Sequence, residues 1–263
     1  MAQLTFDAAA AKALEAIYLT PDVIAQRARV LDLLAPQPGE RVLDVGVGPG
    51  LLAYDLARLV GEGGTMVGLD LSPAMVAASA ERLAAFPQAQ VRQADATALG
   101  GRDAAFDAVV STQVYEYVAD MPTALAELHR VLVPGGRVLI LDTDWRSIVW
   151  HSSDEARMAR VLACWDAHLA DPHLPARLGP LLRAAGFTVR RVEILPMLSP
   201  RWQPVSYAGA MMRTIVNFVR ANAERAGLSL DEVEAWWADQ QALIARDEFF
   251  FSLNRYAFLA TRA

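Results

Sequence analysis

The chain has 263 residues, 54% of them hydrophobic and 21% charged, which suits one large domain with a full core, or one domain carrying a sizeable insertion. A formal net charge of −6 argues against a general nucleic-acid surface, which needs a basic face. The single cysteine, Cys164, excludes an internal disulfide and a cysteine metal cluster, and no apolar run reaches the ~20 residues that cross a bilayer. Residues 1–11 carry Asp7 and no basic region, unlike a signal peptide, so a cytoplasmic protein is expected.

Residues 6–17 and 21–35 have helical periodicity, with Thr20-Pro21 as a cap and first helical position. Pro36, Pro38 and Gly39 end this segment, and from Arg41 strand and helix patterns alternate, as in a doubly wound parallel sheet. Strands are predicted at 41–45, 66–70, 90–93, 106–111 and 137–142, with helices at 51–60, 73–85 and 121–132. Ser72-Pro73 repeats the cap-and-proline signal, and Pro134-Gly135-Gly136 reads as a turn into the fifth strand. Ser152 or Ser153 is the expected cap of a helix reaching about Leu169, and a helix at 175–185 is stopped by Gly186. A sixth strand is predicted at 188–195. Helices at 205–226 and 230–247 follow, the second opened by the capping box Ser229-Leu230-Asp231-Glu232. An aromatic-rich strand at 249–261 closes the chain, so the last two strands read as a hairpin carrying a helical insertion.

The densest signal lies at the first strand–helix junction, Val42-Leu43-Asp44-Val45-Gly46-Val47-Gly48-Pro49-Gly50. An apolar run ending in Asp44 has the pattern of a strand buried on both faces. The glycines allow a tight turn and a close approach of backbone to a ligand. The second strand ends in Asp70, where one carboxylate can accept from two ribose hydroxyls. A dinucleotide fingerprint would need its third glycine at position 51, which is Leu51; the spacing here is Asp-x-Gly-x-Gly-x-Gly.

That spacing resembles motif I of the class I S-adenosylmethionine-dependent methyltransferases, and residues 36–195 with the last strand are similar to the ubiquinone/menaquinone-biosynthesis type. The resemblance also rests on Asp70, on Gln93-Ala94-Asp95-Ala96, on Phe106-Asp107 with the strand to Ser111, and on Leu132-Val133-Pro134-Gly135-Gly136. It implies an α/β fold: a Rossmann-like, doubly wound seven-stranded sheet with an antiparallel last strand. Residues 1–263 would form a single domain, with 1–35 a helical cap and 197–248 a helical insertion or lid over the carboxyl ends of the strands. It implies S-adenosyl-L-methionine as cofactor. Asp44, Gly46, Gly48 and Gly50 would form its turn, and Asp70 would take the ribose. Leu71 and Met75 would pack on the adenine, Asp95 and Ala96 would meet its amino group, and Gln113 would face the methionine end. Tyr18 would close over the ligand, and Arg27 would pair with its carboxylate. The family often has a histidine where this chain has Tyr117, which removes an imidazole from that position.

Methyl transfer from a sulfonium demands chiefly alignment, and a base only where the acceptor arrives protonated. Candidates for catalysis are His151, Asp144 and Tyr117; candidates for binding the acceptor are Tyr18, Tyr115, Trp145, His151 and Met211. His129, His168, His173 and Cys164 have adequate explanations as helix or packing residues. The expected acceptor is a small organic molecule of apolar or aromatic character, with no nucleic acid and no metal. A nicotinamide-dependent oxidoreductase and a non-enzymatic S-adenosylmethionine-binding accessory protein remain alternatives. The acceptor, the atom methylated and the oligomeric state are not legible.

Overall fold

A computed structural model describes residues 8–263. Helices Ala8–Tyr18 (α1) and Pro21–Leu34 (α2) lead into strand Arg41–Val45 (β1), helix Leu51–Val60 (α3) and strand Thr65–Asp70 (β2). Helix Pro73–Leu83 (α4) and strands Ala89–Gln93 (β3) and Phe106–Thr112 (β4) follow, then helix Met121–Val131 (α5) and strand Leu132–Trp150 (β5). Helices Glu155–Asp166 (α6) and Pro175–Ala184 (α7) precede strand Phe187–Ser199 (β6); helices Tyr207–Asn222 (α8) and Leu230–Ala245 (α9) separate it from strand Phe251–Arg262 (β7). Residues 6 and 7 of the first expected helix lie outside the described residues.

The seven strands form one sheet in the order β3-β2-β1-β4-β5-β7-β6. All pairs are parallel except those of β7, which runs antiparallel to both β5 and β6. The expected seven-stranded α/β fold with an antiparallel last strand is therefore present. Strand alternation divides the core. Val42, Ala108, Val110, Leu139 and Leu141 pack with α2, α3 and α4 residues, whereas Leu43, Val109, Val138 and Ile140 pack with those of α5 and α7. A third cluster gathers Val23, Trp145, Trp165, Met211, Trp236 and Phe251 from α2, β5, α6, α8, α9 and β7. The strand order reverses at β1, with β2 and β3 on one side and β4 and β5 on the other, which opens a crevice at the carboxyl ends of β1 and β4.

Five local expectations are corrected. The cap of α6 is Asp154, whose side chain accepts from Arg157 N–H; Ser152 and Ser153 instead donate their hydroxyls to Asp239 on α9. Pro134-Gly135-Gly136 is a bulge inside β5, between the pairs Phe106↔Leu132 and Ala108↔Arg137, and not a free turn. The strand also runs on to Trp150, beyond the expected 142, because Val149 and Trp150 pair with Ser252 and Phe251 of β7. Helix α8 stops at Asn222 and a short 3-10 turn, Glu224–Ala226, replaces its expected last turn. Thr20 occupies the cap position of α2, but its hydroxyl donates back to Ile17 O at 2.7 Å.

Candidate functional site

The glycine turn after β1 is anchored on β2: Gly46 N–H and Val47 N–H both donate to Leu69 O at 2.8 Å. Gly46 has φ +77, and a Cβ there would collide with the Val114 side chain, so the position demands glycine twice over. Gly48, at φ +52, is different. A Cβ there would meet only Tyr18 Cε2, at 3.8 Å, and its N–H donates to Asp70 Oδ2 at 2.9 Å. Gly50 is the N-cap of α3.

Asp70 thus joins two strand ends. Its other oxygen accepts from Ser72 N–H at 2.9 Å, while the capping of α4 falls to Ser72, whose hydroxyl accepts from Met75 N–H. Burial raises the Asp70 pKa, and the bonds from Ser72 and Gly48 oppose the rise. Asp44 is 2% exposed with Oδ1 lacking any hydrogen-bond partner; burial, then repulsion from Asp70, pushes its pKa from 3.8 to about 8.

Beside the glycine turn lies a cleft open to solvent, walled by Tyr18, Gln26 and Arg27 on one side and by Asp44, Gly46, Thr112 and Gln113 on the other. Burial raises the Tyr18 hydroxyl to about 12, so it is a neutral donor at physiological pH. Gln113 takes a left-handed φ of +59; its side-chain oxygen accepts from Thr143 Oγ1 at 2.6 Å and its N–H donates to Leu141 O at 2.8 Å. Arg27, expected to meet a ligand carboxylate, bonds Asp55 Oδ2 at 3.0 Å and Tyr18 O at 3.2 Å, so its charge is matched within the protein. At the outer edge Leu71 is 56% exposed, Met75 is buried in α4 and Ala96 is half-buried. Asp95 is exposed and closes an Asx-turn onto Thr97 N–H at 2.8 Å and Thr97 Oγ1 at 2.7 Å. It stands near Asp70, because Ala94 N–H donates to Asp70 O at 3.0 Å.

The acceptor-side expectations fare unevenly. Trp145 is buried, edge to face with Trp165 at 5.5 Å. Tyr117 is partly exposed, with its ring 5.8 Å from His168. Tyr115 is a correction: it is wholly buried in the core cluster of Leu125 and Leu128, its hydroxyl without a partner. Met211 is buried in α8. His151 is also corrected. It is exposed beyond β5, its N–H donating to Phe250 O and its carbonyl accepting from Gln240, and it does not line the cleft. Asp144 accepts from His173 Nδ1 at 3.2 Å and from Arg146 N–H at 3.0 Å.

Sequence reasoning missed Glu116 and Arg255, each 2% exposed. Glu116 sits in the 3-10 turn Tyr115–Tyr117 after β4, its backbone carbonyl accepting from Ala170 and Asp171 N–H groups. Arg255 stands opposite Thr143 on β7 and donates to Gln26 Oε1 at 2.5 Å. Glu116 is adjacent to Tyr117, where the family pattern points to an imidazole and not to the carboxyl beside it; nothing local marks Arg255.

Residues 43–140 match a family model described as a methyltransferase domain. Demethylmenaquinone methyltransferase of Thermus thermophilus is 42% identical over 118 residues, 44% of this chain and 53% of that protein. Nocamycin O-methyltransferase of Saccharothrix syringae is 37% identical over 112 residues, 42% of this chain and 40% of that protein. The chain spans about half the length of the curated relatives it matches. Among solved structures, phosphoethanolamine N-methyltransferase 2 of Haemonchus contortus, in complex with S-adenosyl-L-methionine, superposes with a TM-score of 0.61 at 23% identity, covering 98% of this chain and 57% of that one.

Proposed function

With residues 43–140 a methyltransferase domain, we propose that this protein is an S-adenosyl-L-methionine-dependent methyltransferase acting on a small organic acceptor of quinone-like, aromatic character. The observation that carries the reading is the donor set of the cleft. Asp44 lines it, Asp70 is tied to its glycine turn through Gly48 N–H, and the cleft's arginine is already paired with Asp55. Such a set suits a ligand that brings ribose hydroxyls and a positive charge. It suits a pyrophosphate poorly, since that ligand calls for unpaired cations or free N–H groups.

In this reading Asp70 accepts from the ribose hydroxyls and the orphan Asp44 oxygen faces the cationic end. Gly46, Gly48 and Gly50 let the backbone approach, while Leu71, Met75, Asp95 and Ala96 surround the adenine. Gln113 lies at the methionine end beside Thr143, and Tyr18 covers the ligand. When bound, the sulfonium supplies an already activated methyl group. The protein's work is then to align acceptor, methyl and sulfur and to exclude water, a contribution of roughly 7–11 kcal/mol. Residues 8–35 act as a cap and 197–248 as a lid, with Trp145 among the residues facing the acceptor. The net charge of −6 supports a small-molecule acceptor over nucleic acid, in a cytoplasmic setting. The relatives bear names of a quinone methyltransferase and an O-methyltransferase, so the matched core does not by itself name the atom methylated.

The test is a transfer assay with isotopically labelled S-adenosylmethionine against metabolite pools enriched in hydroquinones and phenols, with products read by mass. Acceptor-dependent label is expected. A protein that binds the donor but labels nothing in any pool would be an accessory binder instead.

A further inference from the structure

Beside the cleft, above the carboxyl ends of β4 and β5, three side chains hold buried polar atoms without a hydrogen-bond partner: Glu116 Oε2, Arg255 Nε and Trp145 Nε1. Glu116 and Arg255 are 2% exposed and Trp145 is 5% exposed. They belong to the 3-10 turn after β4, to β7 and to β5, and Arg255 and Trp145 both act on the Glu116 carboxyl. The guanidinium lies 4.5 Å from the centroid of the Tyr207 ring, and its contact with Gln26 ties the cluster to the cleft that Gln26 and Tyr18 line. The indole N–H of Trp145 lies beside the Glu116 carboxyl, short of a hydrogen bond. A buried carboxyl and a buried guanidinium, each with an unused polar atom, are costly unless something between them uses both.

We propose that Glu116 is the base that takes the proton from an ionisable hydroxyl of the acceptor, and that Arg255 holds the oxygen left behind. The inference rests on the methyltransferase reading and narrows its acceptor to a small planar molecule bearing an acidic hydroxyl, a phenol or an enol. Tyr18, Tyr207 and Trp145 supply aromatic surface for a ring, and the guanidinium supplies charge-assisted donors for an oxyanion. An ammonium acceptor would meet a like charge in Arg255; an acceptor without a hydroxyl would leave both groups unpaired.

The balance is simple. The hydroxyl proton passes to a Glu116 oxygen, and the acceptor oxygen bonds to the methyl carbon as the carbon–sulfur bond breaks and its electron pair stays on sulfur. Glu116 then returns the proton to solvent. The groups that act on Glu116 are Arg255 of β7, Asp142 of β5, Asp166 of α6, Tyr18 of α1 and Tyr207 of α8, with Tyr117 on its own turn. Burial moves the Glu116 carboxyl up from its ordinary range toward that of a base useful near neutrality, and Arg255 opposes the rise. Burial, then repulsion from Glu116, pushes the Asp142 carboxyl well up, which disfavours its ionised form.

The experiment is calorimetry of 4-nitrophenol binding at mildly alkaline pH, where the free probe is mostly phenolate, in buffers of different ionisation enthalpy and with S-adenosylhomocysteine present or absent. Wild-type protein is expected to take up about one proton per phenolate bound, and Glu116→Gln close to none. Arg255→Met is expected to bind the probe roughly tenfold more weakly. If that variant fails to fold by circular dichroism, Arg255→Lys, which keeps the charge and loses the planar fork, is expected to show a weaker form of the same loss. Equal proton uptake in wild type and Glu116→Gln would overturn the role of Glu116. Undiminished binding in the Arg255 variants would overturn that of Arg255, and no probe binding to wild type would overturn both. S-adenosylhomocysteine is titrated separately: its failure to bind would sink the donor reading while leaving the 4-nitrophenol result to stand on its own.

Discussion

At Gly48 a single backbone hydrogen bond to Asp70 couples the turn after β1 to the end of β2, and this bond separates binding from folding. On the proposed reading, in which Asp70 accepts from the ribose, Asp70→Ala is expected to weaken S-adenosylhomocysteine binding by about 2–3 kcal/mol, a factor of roughly 30–150. The turn's own bonds from Gly46 and Val47 to Leu69 survive, so calorimetry should show the loss with little change in melting temperature. The glycines divide the same way. Gly46→Ala meets Val114 at φ +77 and should cost about 2–5 kcal/mol of stability by chemical denaturation. Gly48→Ala has room for its methyl, which enters the cleft near Tyr18, so it should lose donor binding with a stability cost of only about 1–2 kcal/mol. The glycines and Asp70 were legible because their chemistry is local in sequence. Arg255 was not: its burial depends on Gln26 and Tyr207, residues far away in the chain.

Elements were legible where their signals are self-contained. The capping box of α9 forms as read, Ser229 Oγ accepting from Glu232 N–H at 3.2 Å and Glu232 Oε2 accepting from Ser229 N–H at 2.9 Å. Ser229→Ala should cost about 1 kcal/mol in thermal unfolding. The start of α6 misled because Ser152, Ser153 and Asp154 are all capping residue types; what separates them is Asp239, which comes from α9 and claims both serines. Asp154→Ala should therefore destabilise by about 1 kcal/mol through the cap, whereas Ser153→Ala should act on the tie between α6 and α9. The length of β5 was hidden for a related reason. Residues beyond Asp144 are strand only because the far end of β7 returns to pair with them across a register shift.

For the whole molecule, the parallel sheet followed from alternation of strand and helix patterns, and its antiparallel last strand from the hairpin reading and the family resemblance. How the third apolar cluster meets the sheet did not, since it is assembled from eight elements spread over the chain. The crevice at the strand ends makes stability depend on pH. Asp44 holds its proton up to about 8 in the folded state and only to its ordinary 3.8 when unfolded, so between these values the folded protein binds more protons. Its contribution is fully present below the unfolded value and is lost as pH rises through the window to about 8. Denaturation midpoints at constant ionic strength should fall from mildly acidic to mildly alkaline pH, and Asp44→Asn should flatten that slope; an unchanged slope would contradict the burial of this carboxyl.

The central claim is that two aspartates and a glycine turn form a site for an S-adenosyl nucleoside ligand and not for a dinucleotide. Parallel calorimetric titrations of the wild-type protein with S-adenosylhomocysteine and with NAD test it most directly. The account predicts saturable binding of S-adenosylhomocysteine with one site per chain, lost in Asp70→Ala, and no measurable heat from NAD. Tight binding of NAD without binding of S-adenosylhomocysteine would contradict it.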